Sequence, residues 1–350
     1  MSGHLHSRAW LIWLAAALAA LSLTRNPVYL ALIVLTVVAV GRVLQRQVDT
    51  PTLPLPLLRL ALLILTLSAL LNAATAHVGR TVLVHLPAAI PLLGGPITLE
   101  ALVYGALNGL LLVGFLAAFQ VLYQAVPVQA LIQLLPRAFY PVAVVASIAV
   151  SFVPSTLVQF EQIREAQSMR GHQVRGLRDW LPLFLPLLVG GLERALQLAE
   201  AMTARGFGSL GAAEAGRGQG DGLRAALAVG LAALLAGVLL LLFWQQRWLG
   251  WGMLALGGGL IALALVGQGR RVRRTVYRRE AWTRQDSLVA GLAILVGVAY
   301  VLPGSRAALA YTPYPQVMLP AVQGTLGLAT LLLAAPAVML WRQTERQQTG

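Results

Sequence analysis

Two arginines carry most of the chemistry this chain can offer. Each closes an amphipathic stretch and is followed at once by glycine, in Met169-Arg170-Gly171 and Ala204-Arg205-Gly206. A guanidinium is a planar fork of donors that can grip a carboxylate, or the carbonyls at a helix end, in a contact stripped of water. The glycine lets the chain turn sharply and leaves the arginine standing at a tip. Taken singly, such an end is ordinary capping: a cation suits the last turn of a helix, and glycine commonly follows it. Two of them in one segment, each with a small or apolar residue before the arginine, point to paired plugs for a partner protein.

Helices must present these tips. In the first, Phe160, Ile163, Gln167 and Arg170 recur at three- and four-residue steps and share a face. In the second, Leu198, Met202 and Arg205 share a face, with Leu187, Leu188 and Leu192 extending the apolar side upstream. Helices of about 20 residues reach roughly 30 Å. Pro182 and Pro186 fall early in the second, which is expected to become regular only after Pro186, because proline disrupts a helix interior.

The rest of the chain reads as a membrane mount. Of its 350 residues, 58% are hydrophobic and 11% charged, where a soluble domain carries roughly a quarter charged; mean hydropathy is +0.76. Apolar runs at Ala9–Leu23, Pro27–Leu44, Leu57–Ala74, Leu99–Ala125, Leu223–Trp244, Leu249–Val266, Ser287–Leu302 and Met318–Trp341 suit membrane helices, a span needing about 20 residues. Leu and Ala favour helix, lipid excludes open sheet edges, and no strand pattern competes. Arg8 ahead of Ala9–Leu23 resembles a signal peptide, but a second run follows at once, so a first membrane helix is expected. Tyr140–Val153, bracketed by Pro141 and Pro154, is brief, and charge decides its status. If it does not cross and the N-terminus is cytoplasmic, every arginine except Arg25, Arg80, Arg247 and Arg306 lies inside. If it crosses, the dense run Arg270–Arg284 faces out, against the positive-inside rule.

The expected fold is therefore an all-α integral membrane protein with about eight spans and both termini cytoplasmic. Residues 1–126 hold four membrane helices, 127–222 a cytoplasmic region with two long crossing helices, 223–267 two more spans, and 268–350 a basic loop and two last spans. The loop Thr75–Thr98 is too apolar for solvent and is expected at the membrane interface or over helix ends.

Other chemistry is thin. No cysteine is present, which removes disulfides and thiolate metal sites, and the five histidines show no ligand spacing. There is no lysine and no G-x-x-x-x-G-K-[ST], so the chain cannot cradle ATP in that way. Gly206-Phe207-Gly208-Ser209-Leu210-Gly211 fits G-x-G-x-x-G, but a helix precedes it and a loop follows, the reverse of the dinucleotide context. Glu100 sits at a span edge, where interfacial solvation is expected. The net charge of +14 flanks apolar spans as topology requires, which argues against nucleic acid. Arg270–Arg284 reads as a membrane-surface anchor. No cofactor and no metal are expected.

The segment resembles the transmembrane T component of energy-coupling factor (ECF) transporters, the EcfT/CbiQ family. GluAlaMetThrAlaArgGlyPheGly fits the family's Ala-Arg-Gly motif closely; ArgGluAlaGlnSerMetArgGly keeps the lead and the Arg-Gly but has Met169 where Ala is usual. Phe152-Val153-Pro154 is also similar, and the likeness runs from about Leu5 to Val266, with the last two spans beyond the usual family length. The resemblance implies that Met169, Arg170, Gly171, Ala204, Arg205 and Gly206 dock two ATP-binding cassette ATPase subunits, a homo- or heterodimer. It also implies a small membrane S component that binds a vitamin or metal ion, no enzymatic activity, and a bacterial or archaeal plasma membrane. A multi-span transferase of lipid or glycan metabolism is the competing reading. It needs clustered acidic or His residues on an outward face, and the outside loops have almost no Asp or Glu. A permease with its own path needs polar residues along several spans, which are nearly bare of them.

Overall fold

The computed structural model describes residues 5–46, 57–76, 78–85, 95–171, 176–207, 220–244, 246–271, 282–315 and 317–348. In chain order the elements begin with α1 (Ser7–Leu23), α2 (Pro27–Gln45), α3 (Leu57–Thr75), β1 (Val82–His85), β2 (Pro96–Thr98), α4 (Leu99–Ala125) and α5 (Val128–Gln133). They continue with α6 (Tyr140–Met169), α7 (Leu181–Ala204), α8 (Gly220–Leu239) with a π-turn at Leu240–Trp244, and α9 (Arg247–Arg271). The last are α10 (Arg284–Val301), α11 (Arg306–Leu309), α12 (Gly324–Leu331) and α13 (Ala335–Gln348). Among the described residues nine helical segments are long and apolar enough to cross a membrane, and α1 adds a shorter apolar one. The all-α membrane architecture expected from composition is present. The one departure is a two-stranded antiparallel hairpin, in which β1 pairs with β2 within the loop between α3 and α4.

The helices fall into two compact units, residues 1–130 with 278–350, and residues 131–277. In the first, α3 and α4 run antiparallel at close range. A Cβ on Gly105 would lie 2.6 Å from the Ser68 carbonyl and one on Gly109 3.1 Å from Leu65 Cα, so small residues let the two backbones meet, as membrane helices favour. The Ser68 hydroxyl donates to the Gly105 carbonyl at 2.8 Å. Gly114 abuts Leu21 and Val34, and Gly41 abuts Val121, which sets α4 parallel to α2 and antiparallel to α1.

The last helices complete this unit. The His6 amide donates to Asp286 Oδ1 (2.7 Å) where α1 and α10 begin, and the Arg25 amide donates to the Leu309 carbonyl (2.9 Å) past their far ends. Hence α1 and α10 run parallel. Asn26 caps α2, its Oδ1 accepting from the Val28 amide at 3.0 Å. Thr283 and Asp286 form a capping box that starts α10. The final helix is shorter than the apolar run: Met318–Gln323 is not helical and helix begins at Gly324, where Tyr29 holds Gln323. The chain thus leaves this bundle at the end where α4 finishes and re-enters at the same end with α10. In a bilayer that these helices span, the residues between would cross an even number of times.

In the second unit, α8 and α9 form an antiparallel hairpin on facing glycines. A Cβ on Gly257 would lie 2.7 Å from the Gly230 carbonyl, and one on Gly237 3.0 Å from the Gly250 carbonyl. The unit also holds α6 and α7. Tyr140–Val153 is not a separate brief run: α6 continues through Pro154 as one helix of 30 residues. Proline deletes one donor, but the helical pattern on both flanks carries the turn across. Similarly α7 is regular from Leu181, with Pro182 in its first turn and Pro186 tolerated inside, not only after Pro186 as expected.

Candidate docking site

Both arginine tips form as the residue pattern requires, and in closely matched geometry. Arg170 caps α6 at φ −83°, ψ 7°, and Arg205 caps α7 at φ −86°, ψ 5°. Gly171 follows at φ +81° and Gly206 at φ +76°, a left-handed conformation that side chains other than glycine resist. The Gly171 amide donates to the Ser168 carbonyl and the Gly206 amide to the Thr203 carbonyl, both at 2.9 Å. At the second tip the Phe207 amide reaches back to the Met202 carbonyl (2.9 Å), completing a Schellman ending. The turn uses up part of the terminal carbonyl set, and both arginines are exposed.

Both guanidiniums are exposed, and no ion pair engages either of them among the described residues. Met169 is 88% exposed and Phe207 45%, so each tip pairs its cation with a large apolar side chain in the open. A cation beside uncovered apolar surface suits a partially desolvated groove better than free solvent.

The helices behind the tips pack on each other. Gly190 of α7 lies against Gln159 of α6, whose side chain occupies the space a Cβ on Gly190 would need, and Arg194 reaches Ser155 at 3.5 Å. Phe160 stacks on Trp180 (6.3 Å, 9°), and Trp180 on Phe184 (5.8 Å). The order 155–194 and 159–190 is antiparallel, so the tips extend from opposite sides of this contact rather than side by side. At about 1.5 Å per residue each stands roughly 20 Å beyond the middle of this contact. Gln159, Gly190 and Arg194 were not among the sequence candidates. The Gly190-Gly191 pair inside an apolar helix was the available signal, since interior glycine often marks a close approach.

Elsewhere the candidates separate. Glu100 is not solvated: it is fully buried in the first turn of α4, its Oε1 accepting from the Thr81 amide (3.1 Å) and hydroxyl (2.9 Å). It ties the β-hairpin to the helix start. Asn108 accepts from Arg25 Nη1 at 3.1 Å. Residues 208–211 of the glycine-rich match, most of Arg270–Arg284 and His4, His77 and His172 lie outside the described residues. Among the described residues no His, Asp and Glu cluster could hold a metal ion. An apolar recess of about 330 Å³ lies along α6 at Ala149, Phe152, Val153, Thr156 and Leu157.

Fold and composition together define an all-α, multi-pass membrane protein, two of whose helices end in exposed Arg-Gly turns. The chain belongs to the CbiQ family, described as cobalt transport protein, which it matches over residues 2–214. It is 38% identical over 71 residues to the energy-coupling factor transporter transmembrane protein EcfT of Leuconostoc gelidum, covering 19% of this chain and 26% of that protein. It is 39% identical over 69 residues to EcfT of Heliobacterium modesticaldum (18% and 26%), and 35% over 74 residues to EcfT of Brevibacillus brevis (19% and 28%). The matches span about a quarter of the length of these curated relatives. All three are named as transporter membrane proteins, and the transferase reading finds no support among them.

Proposed function

We propose that this chain is the membrane coupling subunit of an ECF-type importer, without enzymatic activity of its own. Arg170 and Arg205 each dock into one subunit of a separate ATP-binding cassette ATPase dimer. The observation that carries this reading is the duplicated tip: equal backbone geometry, exposed guanidiniums and an antiparallel contact that sends the two ends apart. Ends that diverge in this way suit one contact on each of two subunits, not one composite site. When the ATPases close, the tips move relative to each other, and α6 and α7 pass that motion to the spans and to an S component that carries a vitamin or metal ion. The family's description favours cobalt among such cargoes.

In this reading residues 127–222 lie beneath the membrane, both termini are cytoplasmic, and the host membrane is a bacterial or archaeal plasma membrane. An even number of crossings would also allow α6 and α7 both to span, with Arg170 and Arg205 on opposite sides. Arg164, Arg170, Arg175 and Arg178 disfavour that arrangement. Because the chain has no cysteine, Ser168→Cys and Thr203→Cys can be labelled separately in intact cells; equal protection from an impermeant reagent is expected, and labelling of one alone rejects the reading. Docking is tested by co-purifying the ATPases with wild type and with Arg170→Glu/Arg205→Glu. Loss of the ATPases is expected, and unchanged recovery removes the docking claim.

A further inference from the structure

The last helices lie beyond the family match, which ends at residue 214, yet they wall the N-terminal bundle. Trp10, Trp13, Tyr29, Ile33 and Val37 of α1 and α2 are fully buried, as are Val289, Ala293, Val296, Tyr300 and Leu333 of the C-terminal part. α1 packs on α10, and α2 on α12 and α13.

Most hydrogen bonds across this contact join side chains of the N-terminal part to main-chain atoms of the C-terminal part. Asn26 Nδ2 donates to the carbonyls of Ala308 and Ala321, both at 2.8 Å. Trp13 Nε1 donates to the Leu333 carbonyl at 2.8 Å. Tyr29 Oη donates to the Gln323 carbonyl (3.1 Å) and accepts from its amide (2.7 Å). Side chains on α1 and α2 therefore read main-chain atoms of the C-terminal part, at several levels between the His6–Asp286 contact and the Arg25–Leu309 contact. Without that part, the Trp13 donor, midway along α1, would face an apolar bilayer unsatisfied, which lipid does not compensate, and Asn26 at the turn into α2 would lose both of its carbonyl partners. Asp286 and Thr283 form the capping box of α10 within the C-terminal part, and the His6 amide adds a bond to Asp286 from α1.

We propose that residues 282–348 are a tethered two-span subunit, and that the α1–α2 face is its docking surface, held by these side-chain donors rather than by chain connectivity. The face is filled from within the chain, so a separate membrane partner must sit elsewhere. The proposal does not depend on the ATPase reading, and its test involves no ATPase.

A protease site inserted between Ala281 and Trp282 of the full chain allows the link to be cut after purification in mild detergent. The C-terminal fragment is expected to co-elute with residues 1–281 on gel filtration. In the Trp13→Phe/Asn26→Leu variant, cut in the same way, it is expected to dissociate at least tenfold faster, and in Tyr29→Phe by a smaller factor. Trp13→Phe and Tyr29→Phe keep an aromatic ring, so they report on the donors without emptying the core. Prompt loss of the fragment from the wild-type protein overturns the proposal. Equal retention in wild type and in every variant overturns it too, because the donors would then not hold the subunit.

Discussion

The two units of this chain bury very different amounts of themselves. The unit of residues 1–130 and 278–350 holds nearly all the fully buried residues, including Trp10, Trp13, Tyr29 and Tyr300. Among the described residues of the other, only Ala143, Leu183 and the glycines at 230, 237, 250 and 257 are buried. Length and hydropathy do not separate the two, since both supply helices long and apolar enough to cross a membrane. The first unit satisfies its polar groups internally through Asn26, Trp13 and Asp286. The second leaves its cations at exposed tips and its large apolar side chains uncovered. A region with a filled core behaves as a frame, and one with uncovered surface is built to be completed by other chains or by lipid.

Substitutions can break this contrast, and their effects are expected to fall into separate readouts. The largest belongs to Arg170→Glu/Arg205→Glu. Charged hydrogen bonds contribute about 1.5–3 kcal/mol each, so losing both tips is expected to reduce ATPase capture by about 100-fold or more. The melting temperature of the isolated protein should not change, because neither side chain is packed. Gly257→Val comes next. Its Cβ would lie 2.7 Å from the Gly230 carbonyl, and overpacking of this kind costs about 1–3 kcal/mol; a lower melting temperature of the detergent-solubilised protein checks it.

Asn26→Leu tests the frame. It deletes two bonds to main-chain carbonyls, worth together about 1–3 kcal/mol in a membrane protein. Thermal stability should drop while ATPase capture holds; a drop in capture alone would erase the distinction between frame and tips. Gly171→Ala and Gly206→Ala each force a side chain into a left-handed turn, at a cost of about 1 kcal/mol. A severalfold weaker ATPase capture is expected, with the helices behind intact by circular dichroism. Last comes Met169→Ala, which restores the residue usual in the family motif. It should weaken ATPase capture only severalfold, since it removes apolar area at the edge of the contact and leaves the guanidinium in place.

Helix assignments were legible in the chain because lipid leaves an apolar segment few alternatives. The arginine ends were legible because a cap is local: one helical face, one cation and one glycine set it. Proline misled at Pro154 and Pro186, where local propensity gave way to the continuing helix on either side. Glu100 misled because the partner that buries it, Thr81, comes from the β-hairpin loop and not from its own helix.

By itself, the amino-acid sequence determined that this is an all-helical membrane protein and that Arg170 and Arg205 end two helices. Composition, period and capping act over a few residues and need no distant partner. Only the tertiary structure decided that the tips leave their contact in opposite directions, and that the last helices close the first bundle. Those outcomes depend on contacts such as Gly190 on Gln159 and Asn26 on Ala308 and Ala321. Such contacts join residues far apart in the chain, and no local pattern encodes which of the many apolar faces will meet.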